Sequence, residues 1–507
     1  MDDTTTEKHS IPAGPGTGPR PAGRDEPAGG AASGIGPGSG IGPGSEIGPG
    51  HGSGAGPAPG SGADAGGTVR IAGGAAAAAG IAARVGRGSE AEGGRAPGAT
   101  LGGTLGGRTR VTTGLWGRAE QQDFRSRVRG TLLGSAIGDA LGAPAAGLSP
   151  DAIREAHGPQ GLTEPAPGPH GPRGTVTAAT QLTLFTVDGL IRAHVRRDTG
   201  AWHPPTDIHR AYLRWAATQH DWGPDERRKD NGWLARQEWL YARRAPDRAC
   251  LTGFADDVLG TLDQPKNPAA RNAAAAARSA PFGLLVGWEP GLVLQLSTEC
   301  AAQSHGHPAA YLTAGALAVI VHGLTRGDSL DAAVQRALGL LGARPGHQAV
   351  TDALQRALAA VTQGPPSANA VTALASGDGL GGLGAKHGTH GTHGTGSTGS
   401  TGSHDAENAL AVAVYCALVA EDIPHGLRLA VNHGGDSASA GALCGALLGA
   451  LHGETALPGA WLADLEGRAT LLEIADDFAL EMTQGPSLHG PKVSSSGWQA
   501  RYPTGIG

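Results

Sequence analysis

Oxygen-bearing side chains at the starts of helical patterns are the groups of this sequence best placed to do chemistry. Asp436 stands directly before an apolar run at helical spacing, with Ser439 three residues on. A carboxylate there accepts from the free amides of a helix's first turn. Thr177 precedes a second run, starting at Ala178, and suits the same capping role. Asp139, inside Gly138-Asp-Ala-Leu-Gly142, either orients site waters or pairs within a bundle. His305, in Ser304-His-Gly-His-Pro308, reads as a satisfied histidine where a helix begins. His387, His390 and His393 recur in HisGlyThr repeats and have the spacing to chelate a metal. Chelation there would cost the ordering entropy of a glycine-rich tract, so a low-complexity linker is the favoured reading. Nucleophilic chemistry has no foothold: the chain lacks a GxSxG elbow, an HExxH pair, a P-loop and a dinucleotide fingerprint. Cys250, Cys300, Cys416 and Cys444 form no CxxC pair and read as buried free thiols of a reducing cytosol.

The elements that must position these groups are helices. Val128, Leu132, Leu133, Ile137 and Leu141 mark one apolar face; Leu182, Phe185, Gly189, Leu190 and Ala193 mark a second. Tyr311 to Leu324, opened by Pro308, gives a third, and Ala442 to Leu451 a fourth. Alternating strand patterns are absent, so the fold class is all-α, with seams of Ala and Gly that let helices approach closely. Asp188 and Arg192, four apart on the second helix, predict a surface ion pair. Tryptophans 215, 222, 233 and 239 predict core packing.

Composition bounds the rest. The 87 glycines and 35 prolines concentrate at the N-terminus and in one later stretch. Residues 1–123 carry no sustained apolar periodicity and are predicted to be disordered; 124–482 form the helical domain. Residues 364–404 are predicted to be a low-complexity insertion, and 483–507 a loose tail. A net charge of −6 without a basic block argues against nucleic acid. No apolar stretch approaches a membrane span, and the acidic N-terminus lacks a secretory pattern, so a cytoplasmic protein is expected.

Three ordered segments go further. Gly134-Ser-Ala-Ile-Gly-Asp-Ala-Leu-Gly-Ala-Pro144, Thr177-Ala-Ala-Thr180 and Asp436-Ser-Ala-Ser439 together resemble the ADP-ribosylglycohydrolase family. The resemblance covers about residues 125–480. It implies a compact helical bundle and a pair of Mg²⁺ or Mn²⁺ ions held by Thr-Asp-Asp and Asp-x-Asp-Ser/Thr patterns. Those ions would bind ribose hydroxyls and the attacking water. Mapped residue by residue, the ligands kept here are Thr177, Asp436 and Ser439, while Asp139 and His305 take substrate-side positions. The departures are all at chemical positions. Ala178, Ala179 and Ala438 stand where aspartates belong, Ala146 where a glutamate belongs, and Ala273 to Ala277 replace a glycine-rich loop.

One magnitude weighs these losses. Two dications about 4 Å apart repel by roughly 17 kcal/mol at an effective dielectric of 20. Four or five carboxylates offset that in a working site; the kept set has one. The expectation is therefore no resident cofactor, with a single weakly held Mg²⁺ at Asp436 as the most the residues support. The favoured function is a pseudoenzyme that binds ADP-ribose or an ADP-ribosylated protein. The alternatives are a weak metal-dependent hydrolase and a non-catalytic scaffold.

Overall fold

The computed structural model describes residues 116–197, 202–220, 232–377, 404–489 and 496–503. The Gly/Pro-rich stretch to residue 115, Trp222 and the histidine repeats lie outside the described residues. From Arg118 the chain runs in helices, and among the described residues the only β features are two isolated bridges. Helix α1 is Arg118–Gly142, α2 Pro150–His157, α3 Ala178–Val195 and α4 Pro204–Thr218. The short α5, Arg248–Gly253, and α6, Ala274–Ala277, precede α7, Pro290–Ala302, and α8, Pro308–Leu324. Then come α9 Leu330–Leu341, α10 Gln348–Thr362, α11 Ala368–Ser376, α12 Ala406–Val419 and α13 Ile423–Val431. Helices α14 Ser437–His452, α15 Gly459–Ala463, α16 Arg468–His489 and α17 Ser496–Arg501 complete the order.

Local chemistry sets these boundaries. Pro150, Pro204, Pro290 and Pro308 occupy first helical positions, where proline's missing N–H costs nothing. Ser149, Ser329, Ser367 and Asp422 cap their helices by accepting from first-turn amides.

At the centre, α1 and α14 pack so closely that their backbones touch. Gly130, Gly134, Gly138 and Gly142 recur every fourth residue on α1 and face Gly449, Gly445, Gly441 and Ser437 of α14 in antiparallel order. A Cβ added at Gly134 would overlap the Gly445 carbonyl oxygen, and one at Gly445 the Gly134 oxygen. This seam fixes the register of the two helices and brings the end of α1 beside the start of α14.

Three sequence boundaries and one contact need correction. The helical body begins at Arg118 inside the stretch read as disordered; Glu120 accepts from the Gly117 amide at 3.0 Å, and Trp116 packs on Phe124. Residues 368–376, read as insertion, form α11 with Val371, Leu374 and Ala375 buried; Pro365-Pro366 marks the turn before its Ser367 cap. The tail is not loose over its described part. Helix α16 continues past 482, Tyr502 and Trp498 are buried, and the Tyr502 hydroxyl donates to Asp477 at 2.7 Å. Asp188 and Arg192 pair in the interior, where Asp188 also accepts from Arg214. A second apolar wall, α4, covers the side of α3 that the i,i+4 spacing alone predicts to face solvent. Trp215 and Trp233 are buried, as their apolar bulk predicts.

Candidate functional site

Three helix ends converge because of the central seam. The turn that follows α1 supplies Ala143 and Ala146, the start of α3 supplies Thr177, Ala178 and Ala179, and the start of α14 supplies Asp436, Ala438 and Ser439. They enclose a cleft of about 340 Å³, whose remaining wall includes His170, Ala245, Asp247, Asn272, Ala274 and His404. All four alanines that stand in place of family carboxylates therefore line the same cleft.

The kept polar groups are engaged in holding the helices. Thr177 Oγ1 caps α3 by accepting from the Ala179 amide at 3.1 Å, and it donates to Asp139 Oδ1 at 2.7 Å. Asp436 Oδ1 caps α14 by accepting from the Ser439 amide at 3.0 Å. Both capping roles read from the sequence are thus present at the cleft.

Asp139 does not line the cleft. It lies buried beneath it, accepting from the Thr177 amide at 2.8 Å and the Thr180 hydroxyl at 2.6 Å. Burial pushes its carboxyl up to about 6, against the lowering effect of those hydrogen bonds. Asp139→Ala leaves the Thr177 amide without its acceptor, and an orphaned buried donor costs about 2–3 kcal/mol, to be read from urea unfolding. Asp139→Asn keeps an acceptor and tests the charge. An unfolded carboxyl titrates near 4. Between about pH 4 and 6 the folded chain therefore holds a proton that the unfolded chain has released. The contribution of Asp139 to stability is fully present below that window and falls as pH rises through it. The stability of the parent minus that of Asp139→Asn should decline from pH 4 to 6, and a flat difference would refute this.

His305 also sits behind the cleft wall. Its Nε2 lies 2.9 Å from Asn272 Oδ1 and its Nδ1 2.8 Å from Ser304 Oγ. Burial holds its imidazole below its ordinary value. The sequence did not single out Asp247 or Asn272, which His305 supports. Asp247 caps α5 by accepting from the Cys250 amide at 3.1 Å, and Asn272 donates to its other oxygen at 2.9 Å. Burial opposes ionisation of Asp247, yet its hydrogen bonds from His305, Cys250 and Asn272 outweigh that and take it down to about 2. An aspartate one residue before a short helix was the available signal, and it reads as a cap.

The sequence profile described as ADP-ribosylglycohydrolase matches residues 120–487. The chain belongs to the ADP-ribosylglycohydrolase family. A solved structure described as "ADP-ribosylglycohydrolase-related protein complex" is similar over 72% of this chain and 100% of its own. The two share 24% identity at a TM-score of 0.48. No curated protein matches.

Within this ADP-ribosylglycohydrolase fold, the residues at the cleft do not fit a pair of hard dications. Asp247 and Asp436 are the carboxylates among its lining residues, and they come from different walls. Thr177 Oγ1 already gives a lone pair to the Ala179 amide as the cap of α3. The alanine run is helix α6, as its propensity favours, so Ala274 brings a methyl group to the cleft. The four cysteines are buried and free, and among the described residues no helix is long and apolar enough to cross a membrane.

Proposed function

We propose that this member of the family binds but does not hydrolyse, taking ADP-ribose or an ADP-ribosylated partner into the cleft without Mg²⁺. The reading rests on one observation: Ala146, Ala178, Ala179 and Ala438 all face the cleft. Negative oxygen is missing at the positions where hydrolysis in this family would need it. What remains favours binding. Helices α3 and α14 both start at the cleft, and their dipoles favour an anionic group there. Asn272, Ser439 and the two histidines offer hydrogen bonds to ribose or phosphate. Four buried free thiols accord with work in the cytoplasm.

A weak one-metal hydrolase is the second reading, favoured by the placing of Thr177, Asp436 and Ser439 on the same cleft. Calorimetric titration with ADP-ribose, with and without Mg²⁺, separates the readings. The proposal expects the same heat in both. Metal-dependent release of ADP-ribose from a modified protein would establish the hydrolase instead. Absence of heat under either condition would leave a scaffold.

A further inference from the structure

Asp247, Cys250 and His305 bring a carboxylate oxygen, a thiol sulfur and an imidazole nitrogen within 4.8 Å of one another. These residues are separate from the Thr177, Asp436 and Ser439 positions. We propose that they hold a zinc-class dication whose fourth coordination position faces the cleft. The proposal is independent of whether the cleft hydrolyses anything.

The ligand set selects the metal. A thiolate with an imidazole suits zinc or cobalt, and disfavours Mg²⁺, which prefers oxygen alone. Three protein ligands with one open position is an arrangement zinc adopts readily. Asp247 and Cys250 lie three residues apart at the start of α5, and His305 comes from the turn after α7. Cys250 and His305 are fully buried, while Asp247 and its neighbour Asn272 line the cleft. The open position therefore faces the cleft.

Each ligand has an outer partner suited to its bound state. Asn272 donates to Asp247 Oδ2 at 2.9 Å, and Oδ1, which accepts from the Cys250 amide at 3.1 Å, keeps a second lone pair for the metal. Ser304 Oγ lies 2.8 Å from His305 Nδ1 and Asn272 Oδ1 lies 2.9 Å from Nε2; metal on Nε2 displaces that Asn272 contact, and the ring proton moves to Nδ1 and donates to Ser304. Arg278 Nη1 donates to Cys250 Sγ at 3.4 Å, which favours the thiolate. That guanidinium is itself fixed by Ser304 Oγ at 2.7 Å and lies 4.7 Å from the Tyr212 ring centre.

Charge and protons balance. Burial pushes the Cys250 thiol up to about 12, so binding releases that proton to solvent as the sulfur–metal bond forms. The dication, thiolate, Asp247 carboxylate and Arg278 guanidinium then sum to one positive charge. A hydroxide or an anionic ligand atom in the cleft completes both the charge and the coordination.

The test is titration of the full chain with Co²⁺, followed by its thiolate-to-metal charge-transfer absorption. One equivalent should develop the band, Zn²⁺ should abolish it, and excess Mg²⁺ should not. Cys250→Ser should lose the band and weaken Zn²⁺ binding by roughly a hundredfold or more. Asn272→Ala should weaken it by roughly tenfold to a hundredfold, as loss of an outer partner does. Substituting His387, His390 and His393 together by Ala controls for the histidine repeats, which contain no cysteine, and should leave the band intact. If Cys250→Ser fails to fold, Asp247→Asn at the cleft wall carries the test by the same band. Metal bound without a thiolate band, or a band that survives Cys250→Ser, overturns the proposal.

Discussion

Gly138→Ala should destabilise the fold by roughly 3 kcal/mol or more, seen as a lower urea midpoint at unchanged slope. The added methyl meets backbone, not a side chain that can turn away. It would overlap the Gly441 carbonyl oxygen and approach the Ala442 nitrogen to 3.0 Å. Relief requires α1 and α14 to separate, and Gly134 with Gly445 and Gly130 with Gly449 repeat the contact along the seam. Alanine's better helix propensity returns at most about 1 kcal/mol, so the overlap wins. Gly339→Ala is the matching control. Gly339 lies inside α9 with nothing within 4 Å of an added Cβ, and alanine there should stabilise by up to about 1 kcal/mol. Equal effects at both sites would show that the seam is not closely packed.

The same seam shows which parts of the molecule could be read from residues alone. The helices α1, α3, α8 and α14 follow from apolar residues at helical spacing, although packing buries nearly every residue of α3, α8 and α14 and not one stripe alone. The caps at Thr177 and Asp436 follow too, since capping is a local matter of one oxygen and the next two or three amides. The boundary at 368–376 fails for the same reason: a nine-residue helix beside Pro365-Pro366 depends on neighbours for its stability, and local punctuation hides it. The depth of Asp188 was also invisible, since an i,i+4 pair looks the same whether a second helix covers it or not. In the site, the family pattern brought the alanine positions together but assigned no role to Asp247, Asn272 or Cys250. Their meeting with His305 depends on chain segments more than twenty residues apart, brought together by packing.

Restoring the missing oxygens gives the second large effect. Ala146→Glu, Ala178→Asp, Ala179→Asp and Ala438→Asp introduced together should confer binding of two Mn²⁺ per chain at this cleft, which the parent should not show. All four positions line one space of about 340 Å³, so four new carboxylates crowd one another and Asp436. A pair 5 Å apart repels by roughly 3 kcal/mol at an effective dielectric of 20. Without metal the variant should therefore melt well below the parent. Mn²⁺ at a hundredfold over its dissociation constant should return about 2.7 kcal/mol by mass action, and more at saturation of a second site. The parent's melting temperature should respond far less to Mn²⁺, because a hard cation gains little from the Asp247, Cys250 and His305 set. Two helix starts bear on the outcome in the same direction. Aspartates at the first and second positions of α3 interact favourably with its dipole, so alanine there brings only propensity in exchange for lost charge. A restored chain that stays stable without metal and ignores Mn²⁺ would mean that these positions do not converge, and the account of the lost metal pair would fail with it.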